Sequence, residues 1–146
     1  MTEIVRSITP KDAWQLLEDN PKAILIDVRS EMEYLWIGHP KGAIHIPWID
    51  EPDWIVNPHF AAEVRKLLLG GIITDHEDSA HPIDSVPLLL ICRSGNRSLE
   101  AGKELVKHGF TNVYNVVEGF EGALDHEHHR GTLGGWRFHG LPWEQT

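Results

Sequence analysis

The chain has 146 residues and a mass of 16.6 kDa, with 41% hydrophobic and 24% charged residues. That size and balance fit one domain with its own core and exclude disorder, collagen and coiled coil. A formal net charge of −9, from 13 Lys and Arg against 22 Asp and Glu, repels phosphate backbones and anionic lipid, so neither nucleic acid nor a membrane surface is an expected partner.

Thr9-Pro10 reads as an N-cap followed by proline in the first turn, opening a helix through Ala13, Trp14, Leu16 and Leu17 that Asn20-Pro21 stops. Ala23–Val28 is a short apolar run ending in charge, as a buried parallel strand reads. Ser30–Trp36 follows as a helical turn, and Ala43–Ile46 alternates as a second strand would. Pro47–Pro58, with three prolines and two tryptophans, reads as ordered loop. Phe60, Val64, Leu67 and Leu68 mark a helix that Gly70-Gly71 should end, and Thr74–Ser85 reads as a polar, acidic surface loop. Pro87–Ile91 is the most apolar strand candidate, Ser98–His108 an amphipathic helix closed by Gly109, and Val113–Val117 a last strand. Strands alternating with helices predict an α/β fold with a mainly parallel sheet in a single domain spanning 1–146. The apolar run Val86–Cys92 is too short to span a bilayer, and Met1–Arg6 lacks the basic-then-apolar order of a signal peptide, so a cytoplasmic protein is the expectation.

Cys92, the only cysteine, excludes an internal disulfide and a Cys-rich zinc site. A lone cysteine after Leu-Leu-Leu-Ile reads first as a small buried hydrophobe. Its neighbours point elsewhere. Cys92-Arg93-Ser94-Gly95-Asn96-Arg97-Ser98 follows a strand and opens a helix, so its amides can turn inward as an anion-binding nest reinforced by the helix dipole. Two arginines close to the sulfur add full charge, and all three effects favour thiolate over thiol. A thiolate ringed by donors can bind and attack an anionic substrate, which fits sulfur transfer and phosphoryl or arsenate chemistry.

The loop Cys92–Ser98, preceded by Asp27-Val28-Arg29, Glu33, Gly38-His39, Gly42-Ala43 and Ile46-Pro47, resembles the rhodanese family of sulfurtransferases over about Ile8 to Pro142. The resemblance implies a three-layer fold with a central, mainly parallel sheet flanked by helices. It also implies that Cys92 is a nucleophile carrying a sulfane sulfur as a persulfide between a donor, thiosulfate or another persulfide, and a thiophilic acceptor. The substrate-binding residues it implies are Arg93, Ser94, Gly95, Asn96, Arg97 and Ser98: their amides would cradle the sulfur while Arg93 and Arg97 bind an anionic donor. Asp27 and Arg29 match the family's structural motif and are expected as a buried scaffold pair. No cofactor is implied; the expected partners are a small anionic sulfur donor or a sulfur-relay protein.

The chain departs from the family at Pro40-Lys41, in an insertion at about 74–85 and in a second at about 121–134, between Glu118-Gly119-Phe120 and Gly135-Trp136. His76 and His81 in one insertion and His126, His128 and His129 in the other match no closed zinc-site spacing, so no metal is expected. Trp136, Phe138 and Trp143 read as core packing of the tail rather than as a docking patch. Two alternatives to sulfur transfer remain open: a Cys-dependent phosphatase or arsenate reductase, and a non-catalytic binding module of the same fold. Four residues separate Cys92 from Arg97; the phosphatase pattern encloses one more, giving a wider cradle. Retention of the cysteine and both arginines argues against a silent module.

Overall fold

A computed structural model describes residues 4–74 and 83–145. Its main sheet has five parallel strands in the order β1-β6-β5-β2-β4: β1 Arg6–Ile8, β2 Ile24–Asp27, β4 Ile44–His45, β5 Leu88–Ile91 and β6 Val113–Val116. A second, antiparallel pair joins β3, His39–Pro40, to β7, Trp143–Glu144. Because the main strands are parallel, the segments leaving β2, β4, β5 and β6 emerge at one edge, where sites of open α/β sheets form.

Both faces of the sheet are covered, which explains why β5 is a continuous apolar run. Leu88 and Leu90 join Ile26, Val64, Leu68 and Leu105 on one side; Leu89 and Ile91 join Leu25, Ala13, Phe120 and Trp136 on the other. Helices α2 (Phe60–Thr74) and α3 (Asn96–Lys107) supply the first layer, α1 (Pro10–Asp19) and the C-terminal segment the second. The result is the expected α/β fold with its mainly parallel central sheet. Helix α1 begins as the sequence predicts: Pro10 is in the first turn and the Thr9 hydroxyl accepts from the Asp12 amide at 3.2 Å.

Several boundaries differ from the sequence reading. Helix α2 runs through Gly70-Gly71 to Thr74, since a helical glycine costs only about 1 kcal/mol and docking of the amphipathic face outweighs it. Helix α3 starts at Asn96, two residues early, because Gly95 at φ 108° makes the turn out of β5 by itself. The turn after Ser30 is wound as a π-helix over Glu33–Ile37. Trp136 is fully buried, edge-on to Trp14 with centroids 6.1 Å apart, whereas Phe138 and Trp143 stay 48% and 41% exposed.

The predicted loop around His76 and His81 lies outside the described residues. Residues 121–134 form a turn-rich excursion organised by Asp125, whose carboxylate accepts from the amides of Glu127 and His129 and from the Thr132 hydroxyl at 2.8, 2.9 and 2.7 Å. His126, His128 and His129 are exposed there. Among the described residues no three His, Cys, Asp or Glu side chains are grouped to hold a metal, and no helix is long and apolar enough to cross a membrane.

Candidate active site

Cys92 follows directly from the carboxyl end of β5 and is 1% exposed. Gly95, the residue before α3, donates its amide to the sulfur at 3.1 Å. The next amides belong to the first turn of α3, whose N–H groups have no intrahelical acceptor and carry the positive end of the helix dipole. The strand-loop-helix order thus gathers positive potential at the sulfur. Ser98, fully buried in that first turn, places its hydroxyl 3.2 Å from the sulfur.

The back of the loop is backbone laid on backbone. Phe120 and Glu121 donate to the carbonyls of Cys92 and Arg93 at 2.8 and 2.9 Å. The approach requires glycine at 119, since a Cβ there would sit 2.5 Å from the Arg93 carbonyl carbon. The turn leaving β6 therefore braces the loop leaving β5.

Asp27 and Arg29 form a fully buried, forked pair: Arg29 Nη2 donates to Asp27 Oδ2 at 2.7 Å and Nε to Oδ1 at 3.0 Å. Nη2 also reaches the Gly38 carbonyl at 2.5 Å, and the guanidinium carbon lies 4.5 Å from the centre of the Phe120 ring. His45 bonds the Arg29 carbonyl at 2.8 Å, tying β4 to the same knot. The pair binds together the segments leaving β2, β4 and β6, and neither side chain contacts the sulfur.

The structure separates the two loop arginines. Arg93 is exposed, with no side-chain hydrogen bond or ion pair among the described residues. Arg97 forks onto Glu33, with Nη1 on Oε1 at 2.7 Å and Nη2 on Oε2 at 2.9 Å. Glu33 is aimed by a capping box: its amide donates to the Ser30 hydroxyl at 3.3 Å, while the Ser30 amide donates back to its carboxylate at 3.2 Å. Burial pushes the Glu33 pKa up, but the Arg97 hydrogen bonds and charge, with those from Ser30, outweigh it and bring it from 4.5 to about 2. The same hydrogen bonds raise Arg97, against burial, with smaller contributions from Glu33, Cys92 and Asp27 charge. Ser94 is half-buried and Asn96 exposed, both on the loop.

Two residues of this site escaped the sequence reading in their roles. Glu33 belonged to the upstream signature, and its Ser30-x-x-Glu33 spacing signals a cap, yet nothing local announces its partner 64 residues away. Asn115, on β6 and 5% exposed, accepts from Ser98 through Oδ1 at 2.5 Å and donates through Nδ2 to the Gly95 carbonyl at 3.1 Å. No pattern around Asn115 pointed to the sulfur.

The profile of the Rhodanese-like domain family matches residues 9–126. The chain belongs to this family. The crystal structure of Rv0390 from M. tuberculosis is 38% identical, covering 98% of this chain and 99% of that one, with a TM-score of 0.79. The protein RC0915 of Rickettsia conorii is 28% identical over 140 residues, covering 96% of this chain and 98% of its own length. The thiosulfate sulfurtransferase GlpE of Haemophilus influenzae is 30% identical over 117 residues, 80% of this chain and 86% of that protein. As a rhodanese-like domain, this chain places its one cysteine at the sheet edge where the loops from four parallel strands meet.

Proposed function

We propose that the chain is a sulfurtransferase that carries a sulfane sulfur as a persulfide on Cys92. The observation that carries the reading is the polar shell on the sulfur: the Gly95 amide donating at 3.1 Å, with the free N–H groups of the α3 N-terminus behind it, and the Ser98 hydroxyl 3.2 Å away. Such preorganised donors stabilise negative charge on sulfur before and after transfer. The similarity to a relative named a thiosulfate sulfurtransferase supports it.

With thiosulfate, the Cys92 thiolate attacks the outer sulfur, the sulfur–sulfur bond of the donor breaks, and sulfite leaves with the electron pair. An acceptor nucleophile such as cyanide then attacks the terminal sulfur of the persulfide, leaving as thiocyanate and restoring the thiolate. Arg93, exposed and without a side-chain partner among the described residues, meets the incoming anion. Arg97 holds the loop through Glu33 and adds its charge to the cradle of amides from Arg93, Ser94, Gly95, Asn96, Arg97 and Ser98. A persulfide presented by a relay protein would enter by the same attack.

Intact mass after incubation with thiosulfate should show one added sulfur, removed by cyanide, and Cys92→Ser should show neither the adduct nor thiocyanate formation. Turnover by Cys92→Ser, or aryl phosphate hydrolysis by the native chain that matches its sulfur transfer, would sink the reading.

A further inference from the structure

We propose that Asn115 is a positioning residue that competes with Cys92 for the single hydroxyl proton of Ser98, making that hydroxyl a two-position switch set by the charge on the sulfur. The inference rests on Cys92 being the reacting nucleophile.

The orientation of the Asn115 amide is fixed by its neighbours. The Gly95 carbonyl can only accept, so the atom 3.1 Å from it must be Nδ2, and the opposite atom, 2.5 Å from Ser98 Oγ, must be Oδ1. Oδ1 in turn can only accept, so it takes the Ser98 proton. A hydroxyl has one proton and two lone pairs. While it donates to Asn115, Ser98 can only accept from the sulfur 3.2 Å away, which requires Cys92 to be a thiol. In that state the chain S–H to Ser98 to Asn115 to Gly95 leaves no member unpaired.

Ionisation of Cys92 breaks this order. The thiolate draws the Ser98 proton to itself, and Asn115 Oδ1 is left facing an oxygen lone pair in a buried site. An acceptor stripped of its donor there carries a desolvation penalty. Asn115 therefore opposes the thiolate that the Gly95 amide and the α3 terminus favour. Once an outer sulfur is bonded, the negative charge moves one atom outward, beyond Ser98, and the hydroxyl proton can return to Asn115. The penalty falls on the bare thiolate and is lifted from the persulfide, biasing the site toward the loaded form. Asn115 also steadies the Gly95 peptide that points its amide at the sulfur, so the two effects of replacing it differ in direction.

The test uses the thiolate ultraviolet absorbance, which a lone cysteine makes assignable once Cys92→Ser is subtracted. In Asn115→Leu the Ser98 proton is free for the sulfur, and the titration midpoint should move down, by about tenfold in ionisation constant, as expected for one hydrogen bond to a charged atom. The downward shift should vanish when both variants are compared in a Ser98→Ala background. Asn115→Val, which suits a strand, repeats the measurement if the leucine variant does not fold. The comparison between the two backgrounds cancels the Gly95 effect, so an Asn115→Leu midpoint that lies no lower relative to its parent with Ser98 present than with Ser98→Ala overturns the inference. The titration needs no sulfur donor, so it can fail while persulfide formation on Cys92 still stands, and the reverse.

Discussion

Asp27–Arg29 and Glu33–Arg97 are both forked carboxylate–guanidinium pairs at the same edge of the sheet, yet their surroundings differ. The first joins residues two apart at 0% exposure; the second joins residues 64 apart, with 24% of Arg97 and 17% of Glu33 side-chain surface in contact with solvent. In the sealed pair neither charge can be lost singly, since the survivor would stay in a low-dielectric interior. The open pair can be broken with water taking up part of the loss. A sealed pair thus serves as scaffold, and an open pair whose arginine feels the Cys92 sulfur can tune the charge there.

The sharpest way to break this comparison is to remove one arginine at a time. Arg29→Leu strands the Asp27 carboxylate and should cost about 3–5 kcal/mol in denaturant unfolding. Arg97→Leu should cost less, since Glu33 keeps its Ser30 hydrogen bonds and part of its surface reaches solvent. Equal losses would show that burial does not separate the pairs.

Next in size is a kinetic effect confined to the open pair. Arg97→Ala should lower kcat/KM for thiosulfate about ten- to a hundredfold, the worth of a charge-assisted hydrogen bond, with the fold retained. Unchanged thiosulfate kinetics in a folded Arg97→Ala protein would leave Arg97 without a part in donor use.

The smallest effect follows from the Glu33 titration. Its pKa is depressed from 4.5 to about 2 in the folded chain, so its stabilisation is fully present above about 4.5 and is lost as the pH falls toward 2. Stability of the native chain should fall across that window, and Glu33→Gln should flatten the Glu33 contribution there. Parallel stability curves for the two proteins between pH 5 and 2, roughly the span of the shift, would remove Glu33 as the titrating group.

What could be read from the sequence follows the range of each interaction. Thr9-Pro10 and the apolar run of β5 act within a few residues, so α1 and β5 were legible, and the Asp27-x-Arg29 pair closes on itself across one residue. Strands β1, β3 and β7 are two or three residues long, too short for period-two alternation to register; they form because partners on β6 and on each other are brought alongside. The strand-loop-helix order around Cys92 was legible, but the second layer behind it was not. Glu33 reaches Arg97, and Asn115 reaches Ser98, only after the parallel sheet places β2, β5 and β6 side by side. The run through Gly70-Gly71 is the opposite case: a clear local stop signal overridden by packing of α2.

The excursion between Gly122 and Gly134 leaves and returns through a neck where backbone lies close on backbone, with Arg130 on the Gly122 carbonyl at 2.8 Å and Glu118 on the Gly135 amide at 2.9 Å. A Cβ on Gly122 would collide with the Gly134 carbonyl, and one on Gly135 would come within 2.7 Å of the Glu121 carbonyl carbon. Beyond the neck Trp136 is anchored by its amide on the Gly119 carbonyl at 2.9 Å. The pinch makes the His-bearing stretch a detachable cassette. Doubling its length adds only about 0.6 kcal/mol of closure entropy, because both ends are already clamped. Foreign sequence should therefore be accepted between the clamps as into a cartridge slot, since the residues it would replace are largely exposed.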